Sequence, residues 1–283
     1  MIAFRPMGDV AFDTMVASRW EDPAVRDRHA AACAALGARI VVPVAVVIEM
    51  AATQDVSRSA ARLAAVGHMR KHHRAVIGAD IGELLKAEWA SPQTKVLRCP
   101  DGPIAALSSR IFNGERPPEV DGYFKKDRTF GFDQTSREHF ALSGVVLTEE
   151  NAHDEVAKLF ACMFDGSAFA WTRILGGRAQ RQRARKGPKR FPALWTFAAL
   201  ITLHECVATF PNEVRKVFPD YVFRKNHRND MADLWITSSA AHAEVLVTDD
   251  AATGARLNYV REHVPAVRAR AETSAAFLSR AGV

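Results

Sequence analysis

Two short apolar runs, IVVP (40–43) and EVLVT (244–248), constrain this chain more than anything else in it. Both are rich in β-branched residues and lack polar alternation, so both read as strands buried on two faces. Each lies among helix-forming stretches. DPAVRDRHAAACAALGAR (22–39) precedes the first and reads as an Ala-rich helix closed by Gly37. Pro43 then opens a further helix, because a first turn leaves its missing N–H unused. NDMADLWITSSAAHA (229–243) precedes the second run, as a helix with Asn229 at its N-cap. DVAF (9–12) adds an earlier strand, and an Arg-rich helix is expected over roughly 262–280. Strand, helix, strand at both ends is the rhythm of an α/β fold with a parallel sheet flanked by helices.

The middle reads differently. SRSAARLAAVGHMRKHHRAVIGADIGELLKAEW (57–89) is amphipathic, and ENAHDEVAKLFACMFDGSAFAWTRIL (150–175) is a second helical stretch. NGERPPEVDGYFKKDRTFGFD (113–133) carries two prolines and mixed charges and reads as a loop. Residues 53–228 therefore form a large, mainly helical insertion between the two halves of an α/β core, 1–52 and 229–283.

A chain of 283 residues can bury a sizeable core, and 48% hydrophobic with 25% charged residues is ordinary for a water-soluble protein. The longest apolar run, ALWTFAALITLHECVATF (193–210), contains His204 and Glu205 and reads as a buried helix rather than a membrane span. Arg5 and Asp9 interrupt the apolar core that a signal peptide would need. Cys33, Cys99, Cys162 and Cys206 are scattered, with no CxxC pair, as in a cytoplasmic protein with reduced thiols. A formal charge of +6 tilts the choice of partner mildly toward polyanions.

Against that positive balance, the acids at the strand ends stand out. Asp13 follows the first strand, and Asp249 with Asp250 follows the strand near the C-terminus. Glu49 lies on the helix leaving the second strand, among apolar neighbours. Asp230 and Asp233 are spaced i, i+3 near a helix N-terminus. In an open parallel sheet, ligands bind beyond the carboxyl ends of the strands. Carboxylates gathered there repel one another unless a cation neutralises them, and oxygen donors suit Mg²⁺ or Mn²⁺. Taken singly these residues have simpler roles: Asp13 as a cap, Asp230 as a helix N-terminal charge, Asp249 as a solvated neighbour of Asp250.

VAFDTMVAS (10–18), IVVPVAVVIEMA (40–51) and NDMADLWITSSAAHAEVLVTDDA (229–251) resemble the successive motifs of PIN-domain nucleases. The resemblance implies an acidic quartet of Asp13, Glu49, Asp233 and Asp250; Asp230, on the same helix face as Asp233, is a further candidate metal ligand. It places Thr14 and Thr248 as hydroxyls that position a ligand or water. Met15 departs from the family's frequent Asn, and the central region is longer than the family's usual helices. The activity implied is metal-dependent hydrolysis of RNA phosphodiesters, with DNA as an alternative substrate. A catalytically silent module that binds RNA or protein is the competing reading. A second copy of the chain and an inhibitor protein are further candidate partners; a membrane is not.

Two basic features remain. His68 and His72 share a helical face at the spacing of a two-histidine metal pair, but no Glu lies between them and the surroundings are basic. That pattern reads as a solvated or phosphate-facing patch. RAQRQRARKGPKR (178–190) holds seven cations in thirteen residues, namely Arg178, Arg181, Arg183, Arg185, Lys186, Lys189 and Arg190. It is either a charged loop or a nucleic-acid contact.

Overall fold

The computed structural model describes residues 8–90, 103–123, 188–209, 230–264 and 266–283. β1 (Asp9–Phe12) leads into α1 (Thr14–Ala17), a 3₁₀ turn (Ser18–Glu21) and α2 (Pro23–Ala35). β2 (Arg39–Pro43), α3 (Val44–Ala51), α4 (Val56–His73), β3 (Val76–Gly78) and α5 (Ile81–Ala90) follow. Then come α6 (Pro103–Phe112), α7 (Pro118–Tyr123), a 3₁₀ turn (Pro188–Arg190) and α8 (Pro192–Thr209). The C-terminal part holds α9 (Asp230–Ser239), β4 (Val245–Val247), α10 (Ala251–His263), β5 (Arg270–Glu272) and α11 (Ser274–Ala281).

The five strands form one all-parallel sheet in the order β3-β2-β1-β4-β5. Val10 is in register with Ile40 on one side and with Val245 on the other. Strand alternation sends Ala11, Val41 and Leu246 to one face, where they join a core with residues of α5, α8 and α10. Val10, Phe12, Ile40, Val42, Val245 and Val247 point the other way, into a core with α2, α3, α4 and α11. Helices therefore cover both faces, which is why β1 and β4 are buried along their whole length. Cys33 belongs to the second core; burial pushes its thiol up to about 12, which leaves it unreactive.

Several expectations need correcting. Residues 262–280 are not one helix: α10 ends at His263, β5 intervenes, and Thr273 caps α11 through Ala276 N. β5 is three residues long, with Arg270 and Glu272 flanking Ala271, and its place is set by main-chain pairing with β4 rather than by apolar content. The sheet also reaches into the range read as a helical insertion, since β3 pairs with β2 through Val41 and Val76. β3 too is only three residues, at the sheet's other edge, and α4 ends before it on Arg74 with a left-handed φ of 54°. α7 occupies part of the stretch read as a loop, and α2 ends at Ala35 before Gly37 turns at φ 62°. α8 spans the long apolar run and packs on α5, α9 and α10; among the described residues no helix is long and apolar enough to cross a membrane. The helix expected over 150–175 and Asn229 lie outside the described residues.

Candidate active site

The strand order creates a switch point between β1 and β4. The chain leaves β1 toward β2 and leaves β4 toward β5, so the two connections diverge and a crevice opens at the carboxyl ends of the central pair. Asp13 ends β1 and Thr248, Asp249 and Asp250 end β4. The fold therefore delivers these residues to one place by topology alone.

Asp13 caps α1. Its Oδ1 accepts the Val16 N–H at 2.8 Å, and its own N–H donates to the Val247 carbonyl at 3.1 Å. Its Oδ2 accepts the Thr248 hydroxyl. The side chain is buried, and its carboxyl is pushed up to about 6. Burial is the main cause, and the nearby charges of Asp233 and Asp249 raise it further, against the bonds from Thr248 and Val16. Thr14, the next residue, donates its hydroxyl to Glu49 Oε2 on α3. Asp250 caps α10, its Oδ1 accepting the Thr253 N–H at 2.8 Å, while its N–H donates to Thr248 Oγ1 at 3.1 Å.

Asp233 sits on α9 and lines a small pocket with Leu200, Leu234, Thr237, Thr253 and Arg256. Thr14 ties Glu49 to the start of α1, Thr248 ties the Asp250 N–H to Asp13, and the Asp233 charge acts on Asp13; among the described residues no three of these four acids offer oxygens within 4.8 Å of one another. Asp230 is the first residue of α9, three positions before Asp233. Thr14 and Thr248, expected to position a ligand or water, donate to Glu49 and Asp13, so each fixes the orientation of an acid.

Asp249 has a different position. Its Oδ2 accepts Arg19 Nη1 at 2.7 Å and its Oδ1 accepts the Ser274 N–H at 2.8 Å. It ties the β4 end to the 3₁₀ turn and to α11, and is not merely a solvated neighbour of Asp250. Of the six residues lining the pocket, the sequence reading named only Asp233; two of the others, Thr253 and Arg256, are polar and lie on α10. Thr253 follows Asp250 by three positions, and Arg256 follows Thr253 by three, so helical periodicity places each beside the one before it. Arg256 is 8% exposed, a buried cation in the wall that Asp233 also lines.

Of the basic stretch, Lys189 and Arg190 are exposed, and the Lys189 carbonyl accepts Arg268 Nη2 at 2.7 Å. Arg178, Arg181, Arg183, Arg185 and Lys186 lie outside the described residues. His68 and His72 have ring centroids 4.3 Å apart, and Asp27 and His73 approach the same place.

No family model, no characterised protein and no solved structure matches the chain.

Proposed function

We propose that the chain is a PIN-like, metal-dependent nuclease that hydrolyses RNA phosphodiesters at the crevice between β1 and β4. What supports this reading is a buried Asp13 at the β1–β4 switch point, acted on by the Asp233 charge and tied through Thr248 to the Asp250 N–H, with Glu49 held by the adjacent Thr14. Every candidate donor there is a carboxylate or hydroxyl oxygen, a set that suits a hard divalent ion. A carboxyl held near 6 by burial and like charges would be brought down by a bound cation.

Asp13, Glu49, Asp233 and Asp250 would hold Mg²⁺ or Mn²⁺, with Asp230 one helical turn from Asp233. When bound, such an ion supplies Lewis acidity to a phosphate and acidifies a water. The remaining work belongs to the chain. Thr248 and Thr14 lock the Asp13 and Glu49 carboxylates, which keeps the donor oxygens preorganised. Arg256 places a buried cation in the pocket wall that Asp233 also lines. The cations of 178–190 would guide the strand in from further away.

The test is cleavage of matched RNA and DNA strands by purified protein, with and without a chelator, beside the Asp13→Asn variant. Metal-dependent RNA cleavage that Asp13→Asn abolishes is the expected result. RNA binding without cleavage would replace the enzyme with a silent binding module, and cleavage confined to DNA would change the substrate.

A further inference from the structure

We propose that Asp27, His68 and His73 form a second metal site, suited to a borderline divalent ion such as Zn²⁺. One ligand atom from each lies within 4.8 Å of the others. The residues come from α2 and α4, which contribute none of the acids at the β1–β4 crevice. The donor set also differs: two imidazoles with one carboxylate are the ligands of a zinc site that keeps an open fourth position, whereas the crevice offers only oxygen.

The local structure explains the gathering. Three histidines fall within 68–73, the last of them ending α4 before the left-handed Arg74. His68 and His72 are one helical turn apart, and their rings lie 4.3 Å between centroids; His73 lies 5.8 Å from His68. α2 packs against α4 and brings Asp27 to this end. Zinc–ligand bonds of about 2.0–2.2 Å need donors closer than 4.8 Å, so the site closes by side-chain rotation. Asp27 can rotate, since its side chain is 58% exposed. Its Oδ1 already accepts Arg26 Nε at 2.9 Å, but a carboxylate has about four acceptor positions and retains capacity for a metal. His72 stands ready as an alternative or fourth ligand. Bound metal would clip α2 to the last turn of α4.

The experiment titrates Zn²⁺ into the full chain by calorimetry, with Mg²⁺ in excess to occupy the acidic crevice, and follows thermal unfolding in parallel. One zinc per chain is expected, with Tm raised by about 5 °C once zinc exceeds its Kd a hundredfold. The double variant His68→Gln with His73→Gln should bind at least tenfold more weakly while melting like the parent without zinc. Asp27→Asn should weaken binding in the same direction and serves if the double variant folds poorly. Asp13→Asn should leave zinc binding unchanged. Cu²⁺ in place of zinc should show nitrogen hyperfine structure in its EPR spectrum, and the double variant should lose it. Absent zinc binding, binding unaffected by the His68 and His73 changes, or binding lost in Asp13→Asn would each overturn the proposal.

Discussion

The Thr248 hydroxyl donates to Asp13 Oδ2 while its oxygen accepts the Asp250 N–H, so one side chain couples the acids that end β1 and β4. Both strands are three or four residues long and lie side by side in the sheet's interior, with Phe12 in register with Val247. The coupling is therefore rigid: the hydroxyl cannot turn from one acid without the other losing its partner.

Thr248→Val, nearly the same in shape, removes both bonds. The Thr248 bond is the larger of the two hydrogen bonds that hold the Asp13 carboxyl down, so that carboxyl should rise above its present value of about 6. Unfolding free energy should fall by about 1–2 kcal/mol, because Asp13 and the Asp250 N–H are left under-satisfied. Metal affinity should fall by about 10–100-fold, as for other groups that orient a ligand. Thr248→Ser should restore most of both. Chemical denaturation and an Mn²⁺ titration of the three proteins decide this, and a Val variant that binds like the parent would remove Thr248 from the site.

Asp13 also sets a pH dependence in the metal-free protein. Its folded pKa lies above the unfolded value near 3.8, so the folded state holds the proton more tightly than the unfolded chain does. Stability from this group is greatest below about pH 4 and declines as pH rises toward about 6. The ionised carboxylate then costs at most about 3 kcal/mol. Asp13→Asn keeps a good N-cap for α1 but carries no charge. It should therefore be more stable than the parent at pH 7 without metal and should lose the decline between about pH 4 and pH 6. Urea melts across that range test the sign. Saturating Mn²⁺ should reverse the ranking, because only the parent gains from the ion.

The parts of the fold legible in the sequence are those where side-chain chemistry agreed with backbone structure. DVAF, IVVP and EVLVT are apolar because both sheet faces are covered, and the strands lie close to those runs. β3 and β5 were missed because edge strands of three residues need neither alternation nor a long apolar run; Arg270 and Glu272 fit there because the main chain does the pairing. Asp13 and Asp250 were readable from their positions past strand ends, and Glu49 and Asp233 from their places on helices. Their hydrogen bonds were not, since Thr14 to Glu49 spans 35 residues and Thr248 to Asp13 spans 235. Arg256 was passed over because one arginine on a mixed helix looks solvated until the pocket beside it is seen.

Electrostatic guidance by the basic stretch gives a separate test, for an acidic crevice repels a phosphate backbone. Changing Arg181, Arg183 and Arg185 to Ala should weaken RNA binding about equally for all sequences. The slope of log K against log salt should become shallower by roughly 0.7 per lost contact on a single strand. Cleavage at saturating RNA should suffer less than affinity, since these residues position the strand rather than react. Lys189 and Arg190 are exposed, and their replacement should add to the effect. A parental slope in the triple variant would make the segment a solvated loop.

Glu88 gives the strongest stability prediction, and nothing in its sequence context marks it. It is 1% exposed on α5, yet its Oε1 accepts the Ala193 N–H at 2.6 Å and its Oε2 the Leu194 N–H at 3.0 Å. Those donors are the first turn of α8, where unpaired N–H groups and the helix dipole favour an anion. His242 Nε2 lies 2.8 Å from Oε1, close but not aligned as a hydrogen bond. One carboxylate thus joins α5, α8 and the turn that leads into β4. Glu88→Ala strands two buried N–H groups and should cost about 3–5 kcal/mol, as when one partner of a buried pair is removed. Glu88→Gln keeps one acceptor and should cost about 1–3 kcal/mol. Because α8 supplies Leu200 to the pocket lined by Asp233, the Gln variant should also weaken Mn²⁺ binding, though less than Thr248→Val does. Urea melts of both variants at pH 7 measure the first effect. Losses within about 0.5 kcal/mol, the range of ordinary surface changes, would show that the carboxylate is dispensable to the packing of α8.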